Sequence, residues 1–191
     1  MTTTDQPIIA YRSLQEWEAW LVKNHSTSQG IWMRLFKKAT KQESITYAEA
    51  LDVALCYGWI DGQKKSYDQD SWLQKFTPRR ARSVWSKRNT EHIARLMKAG
   101  KMKPAGMKAV DAAKADGRWD AAYDSPSNTT MPEDFLKELA KDKKAEAFFE
   151  TLNKTNKYAI AYGLQSAKKQ ETRAKRMKVF LTMLSKSEKF Y

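Results

Sequence analysis

Cysteine is almost absent from this chain of 191 residues, because Cys56 is the only one. A single cysteine cannot form an internal disulfide, so no covalent crosslink is available to stabilise the fold. Cys56 stands in an apolar run, residues 54–57. We therefore expect a buried free thiol there rather than a nucleophile.

Histidine is also scarce, with only His25 and His92 in the whole chain. A zinc site needs about four His, Cys or carboxylate ligands at workable spacing. The two histidines are isolated from each other and from Cys56, so we expect both to be surface residues. The sequence predicts no metal site and no other cofactor.

The motifs of common catalytic sites are missing as well. The sequence contains no Gly-x-Gly-x-x-Gly fingerprint, no Walker loop, no Gly-x-Ser-x-Gly elbow and no His-Glu-x-x-His motif. We therefore predict no catalytic residue, and the sequence favours a protein that is not an enzyme.

Long apolar segments are lacking too. No stretch approaches the roughly 20 apolar residues that cross a bilayer. Residues 1–5 have neither the positive charge nor the apolar run of a signal peptide. These absences predict a cytoplasmic protein without a membrane span.

Positive charge is the most prominent feature that is present. The chain has 35 Lys and Arg against 22 Asp and Glu, a formal charge of +13. Such a surface attracts anions, so nucleic acid, an anionic membrane surface or an acidic protein are the expected partners. Apolar residues make up 41% and aromatic residues 12% of the chain, which predicts a folded protein rather than a disordered one.

Three segments in the first half have the pattern of β-strands. Residues 31–36 are rich in β-branched and aromatic side chains, residues 59–62 resemble the start of a strand with a bend, and residues 71–76 alternate apolar with polar side chains. We predict a small antiparallel or mixed sheet of about three strands.

Helices are expected around this sheet and throughout the last third of the chain. Capping-box patterns at Ser13–Glu16 and Thr46–Glu49 predict two helices, the second ending at Gly58. Further helices are predicted before Gly100, after Pro104, and at about 132–140, 143–152, 156–166 and 170–185.

These patterns predict an α+β fold followed by an all-α C-terminal segment. Residues 120–131 are polar and rich in turn-forming residues, which is typical of a linker. We therefore expect a basic α+β domain over residues 1–119 and a helical domain over residues 132–191.

The positive charge is concentrated in a segment that we call the basic block, residues 75–103, where Glu91 is the only acidic residue. Arginine forks suit phosphate or carboxylate groups, and an exposed tryptophan offers a face on which a base can stack. An alternative is that Arg79 or Arg82 pairs internally with Asp61 while Trp85 is buried. The candidate anion- or nucleic-acid-binding residues are Arg79, Arg80, Arg82, Trp85, Lys87 and Arg88.

A second candidate site is the Gly58 turn, which we define as residues 57–62. Glycines on both sides of Trp59 and Asp61 permit positive φ or a close approach of backbone. Together with Tyr47, these two residues form a candidate pocket for a small molecule. The alternative is structural, with Trp59 in the core and Asp61 accepting hydrogen bonds in a turn.

Several of these segments resemble the YdeI/OmpD-associated, or bacteriocin-protection, family. The resemblance extends from about Gly30 to Leu184, and it is carried by residues 46–51, 56–62, 76–80, 85–87, 117–119 and 167–173. It implies an association with bacteriocin protection, with resistance to cationic antimicrobial peptides and with an envelope or stress context. It implies no agreed biochemical activity, catalytic residue or cofactor.

We therefore hypothesise a non-enzymatic cytoplasmic protein, associated with stress and antimicrobial protection, that binds an anionic partner such as nucleic acid through the basic block. One alternative is an enzyme or receptor that binds an anionic small molecule near Trp59 and Asp61. Another is a helical scaffold that binds a partner protein. A cationic protein does not attract a cationic peptide, so any protective role would be indirect.

Overall fold

The computed structural model describes residues 6–124, 130–167 and 169–190, and it divides into two compact units. The first unit comprises the chain up to Trp85 together with Asn89–Ala121, and the second comprises Ser86–Arg88 and the chain from Ala122 onward. The domain boundary predicted at residues 120–131 stays a prediction. Residues 125–129 of that segment lie outside the described residues, as do residues 1–5, on which the expectation about a signal peptide rests.

The first unit is built from a sheet and helices. Its strands are β1 (Ile8–Ala10), β2 (Ile31–Phe36), β3 (Trp59–Ser66) and β4 (Ser71–Pro78). Its helices are α1 (Leu14–Asn24), α2 (Tyr47–Cys56), α3 (Lys87–Lys98, whose first two residues belong to the second unit) and α4 (Pro104–Ala115), with a 3-10 turn at Lys38–Thr40.

The sheet is mixed and has the strand order β1-β2-β4-β3. β1 runs parallel to β2, whereas the β2–β4 and β4–β3 pairs are antiparallel. The predicted α+β class is therefore confirmed. The expected count of about three strands is wrong by one among the described residues, because β1 has only three residues and is too short to show a period-two pattern.

One face of the sheet is covered by α1 and α2. Alternate residues of β2 are buried, as expected when one face of a strand meets the core. Trp17 of α1 lies at the centre of this core, with its ring centroid 5.7 Å from that of Phe76. Its indole N–H donates to the Ala50 carbonyl of α2 over 3.0 Å, so the buried ring has a partner for its polar group.

The predicted capping boxes have different outcomes. At α2 the box is complete: the Thr46 hydroxyl accepts from the Glu49 N–H, and the Glu49 carboxylate accepts from the Thr46 N–H. At α1 the Ser13 hydroxyl accepts from the Glu16 N–H as predicted, but the Glu16 carboxylate accepts from the Arg12 N–H over 2.8 Å. Both helices begin where the sequence predicts.

The second unit is helical, as predicted for the C-terminal segment. Its helices are α5 (Glu133–Leu139), α6 (Lys143–Thr151), α7 (Lys154–Gln165) and α8 (Gln170–Ser185). Asp142 and Asn153 cap α6 and α7 with their side chains. The apolar faces enclose one cluster that includes Phe135, Phe149 and Phe180.

Cys56 is buried, which confirms the expectation of a free core thiol. Burial and the nearby Asp52 and Glu18 carboxylates raise the pKa of the Cys56 thiol to about 11, so it is protonated at neutral pH. Within the described ranges, no three His, Cys, Asp or Glu side chains lie where they would hold a metal ion. Nor is any helix there long and apolar enough to cross a bilayer.

Candidate functional site

The Gly58 turn brings the end of α2, the end of β4 and the start of α4 together. Gly58 has a φ of +72°, and a Cβ atom there would lie 2.8 Å from the Ala105 carbonyl oxygen. The Arg79 N–H donates to the Gly58 carbonyl over 2.9 Å, and the Lys103 N–H donates to the Cys56 carbonyl over 3.1 Å. The close approach predicted from the two glycines is thus present at Gly58, whereas Gly62 continues β3 without a positive φ.

Trp59 belongs to the core beneath this turn. It is buried, and its indole N–H donates to the His25 carbonyl over 2.9 Å. The Trp59 ring makes edge-to-face contacts with Trp17 and Trp20, which both belong to α1. Trp59 therefore has a structural role, while part of its surface lines the cavity described below.

Arg79 and Trp85 form a closed contact within the loop that follows β4. The Arg79 guanidinium carbon lies 3.7 Å from the Trp85 ring centroid, and its Nη1 donates to the Val84 carbonyl over 3.0 Å. The Trp119 ring also packs against Trp85, with 5.0 Å between the ring centroids. Trp85 is only 2% exposed, so its face is not available to stack on a base.

A cavity of about 480 Å³ opens beside this loop, within the first unit. We call it the α4 cavity, because Ala105, Lys108, Ala109 and Ala112 contribute one face of α4 to it. None of the described residues that line it is acidic. The remaining lining residues are His25, Ser26, Tyr57, Gly58, Trp59, Pro78, Arg79, Arg80, Ala81 and Arg118.

The cationic residues of the α4 cavity differ in whether other groups of the protein already contact their side chains. Arg80 and Lys108 are exposed. The Arg118 side chain is only 11% exposed, and its Nε lies 2.7 Å from an Asp116 carboxylate oxygen. Its Nη1 also donates to the Ser83 carbonyl over 3.1 Å. Arg80 and Lys108 are thus the side chains best able to contact an incoming anion, and Arg118 supports the wall.

His25 adds an imidazole to the same cavity. Its Nδ1 lies 2.9 Å from the Leu21 carbonyl oxygen. A carbonyl oxygen can only accept, so Nδ1 carries the proton in this contact and Nε2 is left for other partners.

The other two predicted pocket residues lie elsewhere. The Tyr47 hydroxyl donates to Asp61 over 2.7 Å, and the Tyr47 ring contacts Trp72. Neither Tyr47 nor Asp61 is among the described residues that line the α4 cavity. The structure brings Tyr47 and Asp61 together but places Trp59 with the arginines Arg79 and Arg80.

The basic block does not form one surface. Arg82 is exposed outside the α4 cavity lining, and Arg88 is exposed in the second unit. Lys87 also belongs to the second unit, where its Nζ lies 2.7 Å from an Asp124 oxygen.

Other cations of the block pair with acids that are distant in sequence. The Arg95 guanidinium donates to both carboxylate oxygens of Asp52, and the Lys103 Nζ lies 3.3 Å from a carboxylate oxygen of Glu18. His92 shares the Asp52 carboxylate through a 2.8 Å contact. Partial burial acts to raise the pKa of Asp52, but the hydrogen bonds from Arg95 and His92 outweigh it and lower the pKa below its usual value.

Three further side chains line the α4 cavity without having been predicted from the sequence: His25, Lys108 and Arg118. They come from three separate segments, and tertiary contacts bring them together. A partial signal exists for Lys108, which shares a helical face with Ala105 and Ala112 at spacings of three and four.

Comparison with known families assigns the two parts of the chain differently. Residues 128–187 match the bacteriocin-protection, YdeI or OmpD-associated family. The predicted resemblance is therefore confirmed, but over a shorter part of the chain than expected. The Gly58 turn and residues 76–80 fall within a second match, to a domain of unknown function, over residues 9–109. No curated protein and no solved structure matches the chain. Since the match over residues 9–109 covers more than half of the 191 residues, the chain belongs to the family of the domain of unknown function DUF8412.

Proposed function

We propose that this protein binds a small anionic molecule in the α4 cavity. The observation that carries the proposal is the gathering of positive side chains around a cavity with no acidic residue among its described lining residues. Its volume of about 480 Å³ lies within the range of about 300–1,000 Å³ that is usual for small-molecule sites.

The lining indicates what kind of molecule fits. Ala105, Ala109, Ala112 and Pro78 provide apolar surface, which favours a ligand with an apolar or aromatic body. Arg80 at the rim suits two oxygens of a phosphate or carboxylate, and Lys108 provides a compact charge. The ligand class is thus an aryl or alkyl phosphate or carboxylate.

Anion binding in this cavity is a narrower hypothesis than anion binding by the whole basic block. Nucleic-acid contact by Arg80, Arg82 and Arg88 stays a prediction, and it now lacks the stacking platform expected of Trp85. The scaffold hypothesis for the C-terminal helices, the cytoplasmic location and the stress context also stay predictions. We propose that any protective role is indirect and acts through the bound anion, because like charges repel a cationic peptide.

Titration calorimetry with three probes tests the proposal. 1-Naphthyl phosphate has both an anionic group and an apolar body, inorganic phosphate has only the charge, and 1-naphthol has only the rings. We expect naphthyl phosphate to bind at least about tenfold more tightly than either partial probe.

Matched variants locate the binding. Arg80→Gln and Lys108→Gln should each weaken naphthyl phosphate binding about tenfold, the loss of one charge-assisted contact. Arg82→Gln, on the same loop, and Lys114→Gln, on the same helix, remove equal charge outside the cavity lining and should leave the affinity unchanged. Equal losses in all four variants would show only a general charge effect and would refute the proposal.

A further inference from the structure

The face of the sheet opposite α1 and α2 has an unusual composition for an exposed surface. In β2, Ile31, Met33 and Leu35 are buried, whereas Trp32, Arg34 and Phe36 are half-buried on the other side. We call this second side the outer face. The strand pairing adds Ile8, Lys65 and Lys75 to it, together with Leu73, which is itself only 1% exposed.

Trp32 is the centre of the outer face. It pairs with Ile8 of β1 and with Lys75 of β4. The Nζ atom of Lys65 lies 4.2 Å from the Trp32 ring centroid, and that of Lys75 lies 5.5 Å from it. Ile8 is 47% exposed, so the surface beside this ring is open to solvent.

A second aromatic and cationic group lies further along β2. The Arg34 guanidinium carbon is 4.5 Å from the Phe36 ring centroid and 5.2 Å from that of Tyr67. Arg34 also pairs with Asp68 over 2.8 Å, and Tyr67 is 48% exposed. Aromatic rings and a cation therefore alternate along β2, and Lys65 of β3 and Lys75 of β4 add cations beside them.

We infer that the outer face binds single-stranded nucleic acid. Aromatic rings that are partly accessible on a sheet stack with unpaired bases, and adjacent lysines contact the phosphates between them. Here Trp32 and Phe36 are half-buried and Tyr67 is exposed. Cations outnumber acids here, with Arg34, Lys65 and Lys75 against Asp68, so the charge is complementary to a polyanion. In this arrangement a base displaces the Lys65 ammonium from the Trp32 ring, and the ammonium then contacts a phosphate.

The outer face shares no residue with the α4 cavity. Nucleic-acid binding at the outer face can therefore be tested independently of anion binding in the cavity. The outer face also differs from the basic block, since Lys75 is the one residue that the two have in common. A single strand fits better than a duplex, since stacking on Trp32 requires an unpaired base.

Fluorescence anisotropy with a labelled twelve-nucleotide oligothymidine tests the inference on the full chain. Lys65→Gln/Lys75→Gln should weaken binding about tenfold at low salt and reduce the slope of log K against log salt by about 1.4, the value for two phosphate contacts on a single strand. The control, Lys23→Gln/Lys114→Gln, removes two exposed lysines from α1 and α4, outside both the outer face and the basic block, and should leave both quantities unchanged.

An abasic oligomer with the same number of phosphates separates stacking from charge. It should bind at least about fivefold more weakly than oligothymidine, because it cannot stack on Trp32. Equal binding of the two oligomers, tighter binding of a twelve-base-pair duplex, equal losses in the two double variants, or no binding at low salt would each overturn the inference.

Discussion

The guanidinium carbon of Arg79 lies over the Trp85 ring, 3.7 Å from its centroid. This contact joins the first residue after β4 to a buried tryptophan six positions later, and it shapes the loop that carries Arg80. Two of the residues that the sequence suggests for ligand binding are therefore used to build the site rather than to contact a ligand.

Replacing Arg79 with lysine should destabilise the first unit by about 1 kcal/mol, because lysine keeps the charge but loses the planar stacking and the hydrogen bond to Val84. In a Trp85→Phe background the loss should be smaller, with a coupling energy of about 0.5–1 kcal/mol. Denaturant unfolding of the four proteins measures this. Arg82→Lys is the control, and an equal effect at both arginines would contradict the account.

Gly58 and Gly117 provide a matched pair for the close approach to α4. Both have positive φ, +72° and +74°, but a Cβ atom would meet the Ala105 carbonyl oxygen at 2.8 Å at Gly58 and nothing within 4 Å at Gly117. Alanine at Gly117 should cost about 1 kcal/mol of backbone strain, whereas alanine at Gly58 should cost about 2–4 kcal/mol because it adds overpacking to the strain. Thermal unfolding of the two variants gives the difference. Similar losses would mean that α4 does not constrain the turn.

Asp52 should make the stability of the protein depend on pH in acid. Its pKa is lower in the folded state than in the unfolded chain, so its contribution is fully present above about pH 4, the usual Asp value, and is lost as the pH falls through the folded-state value. Asp52→Asn should cost about 1–2 kcal/mol at pH 6, since it weakens the contacts from Arg95 and His92.

Urea unfolding between pH 6 and pH 2.5 measures this effect, and the difference between wild type and Asp52→Asn should shrink below about pH 4. Asp111→Asn, at an exposed position of α4, is the control and should match the wild type throughout. A difference for Asp52→Asn that stays constant down to pH 2.5 would show that the ion pair does not carry the effect.

Local signals explain why most of the fold is predictable from the sequence. The Thr46–Glu49 capping box and the glycine with positive φ at Gly58 mark both ends of α2, and the period-two pattern of residues 71–76 marks β4. β1 is missed because three residues show no period, and what marks it as a strand is its parallel pairing with β2. The pairing of β1 is tertiary information that propensity does not contain.

The candidate site is predictable only in part, for the same reason. Trp59 belongs to the glycine-flanked turn, and Arg79 and Arg80 belong to the arginine-rich segment, so local sequence patterns mark all three as candidates. His25, Lys108 and Arg118 reach the α4 cavity through tertiary contacts such as that of Gly58 with Ala105. The partners of the basic block are equally distant, since Glu18 and Asp52 precede it by tens of residues. A charge run read alone therefore overstates the charge that is available to a ligand.

The central claim is that an anion with an apolar body binds in the α4 cavity, and amide chemical-shift mapping during a titration with 1-naphthyl phosphate tests it most directly. We expect saturable shifts grouped at Gly58, Arg80, Ala105 and Lys108, with little change at Arg82 and Lys114. Shifts centred on Arg82 and Arg88, or non-saturating shifts spread over the lysines of the chain, would contradict it.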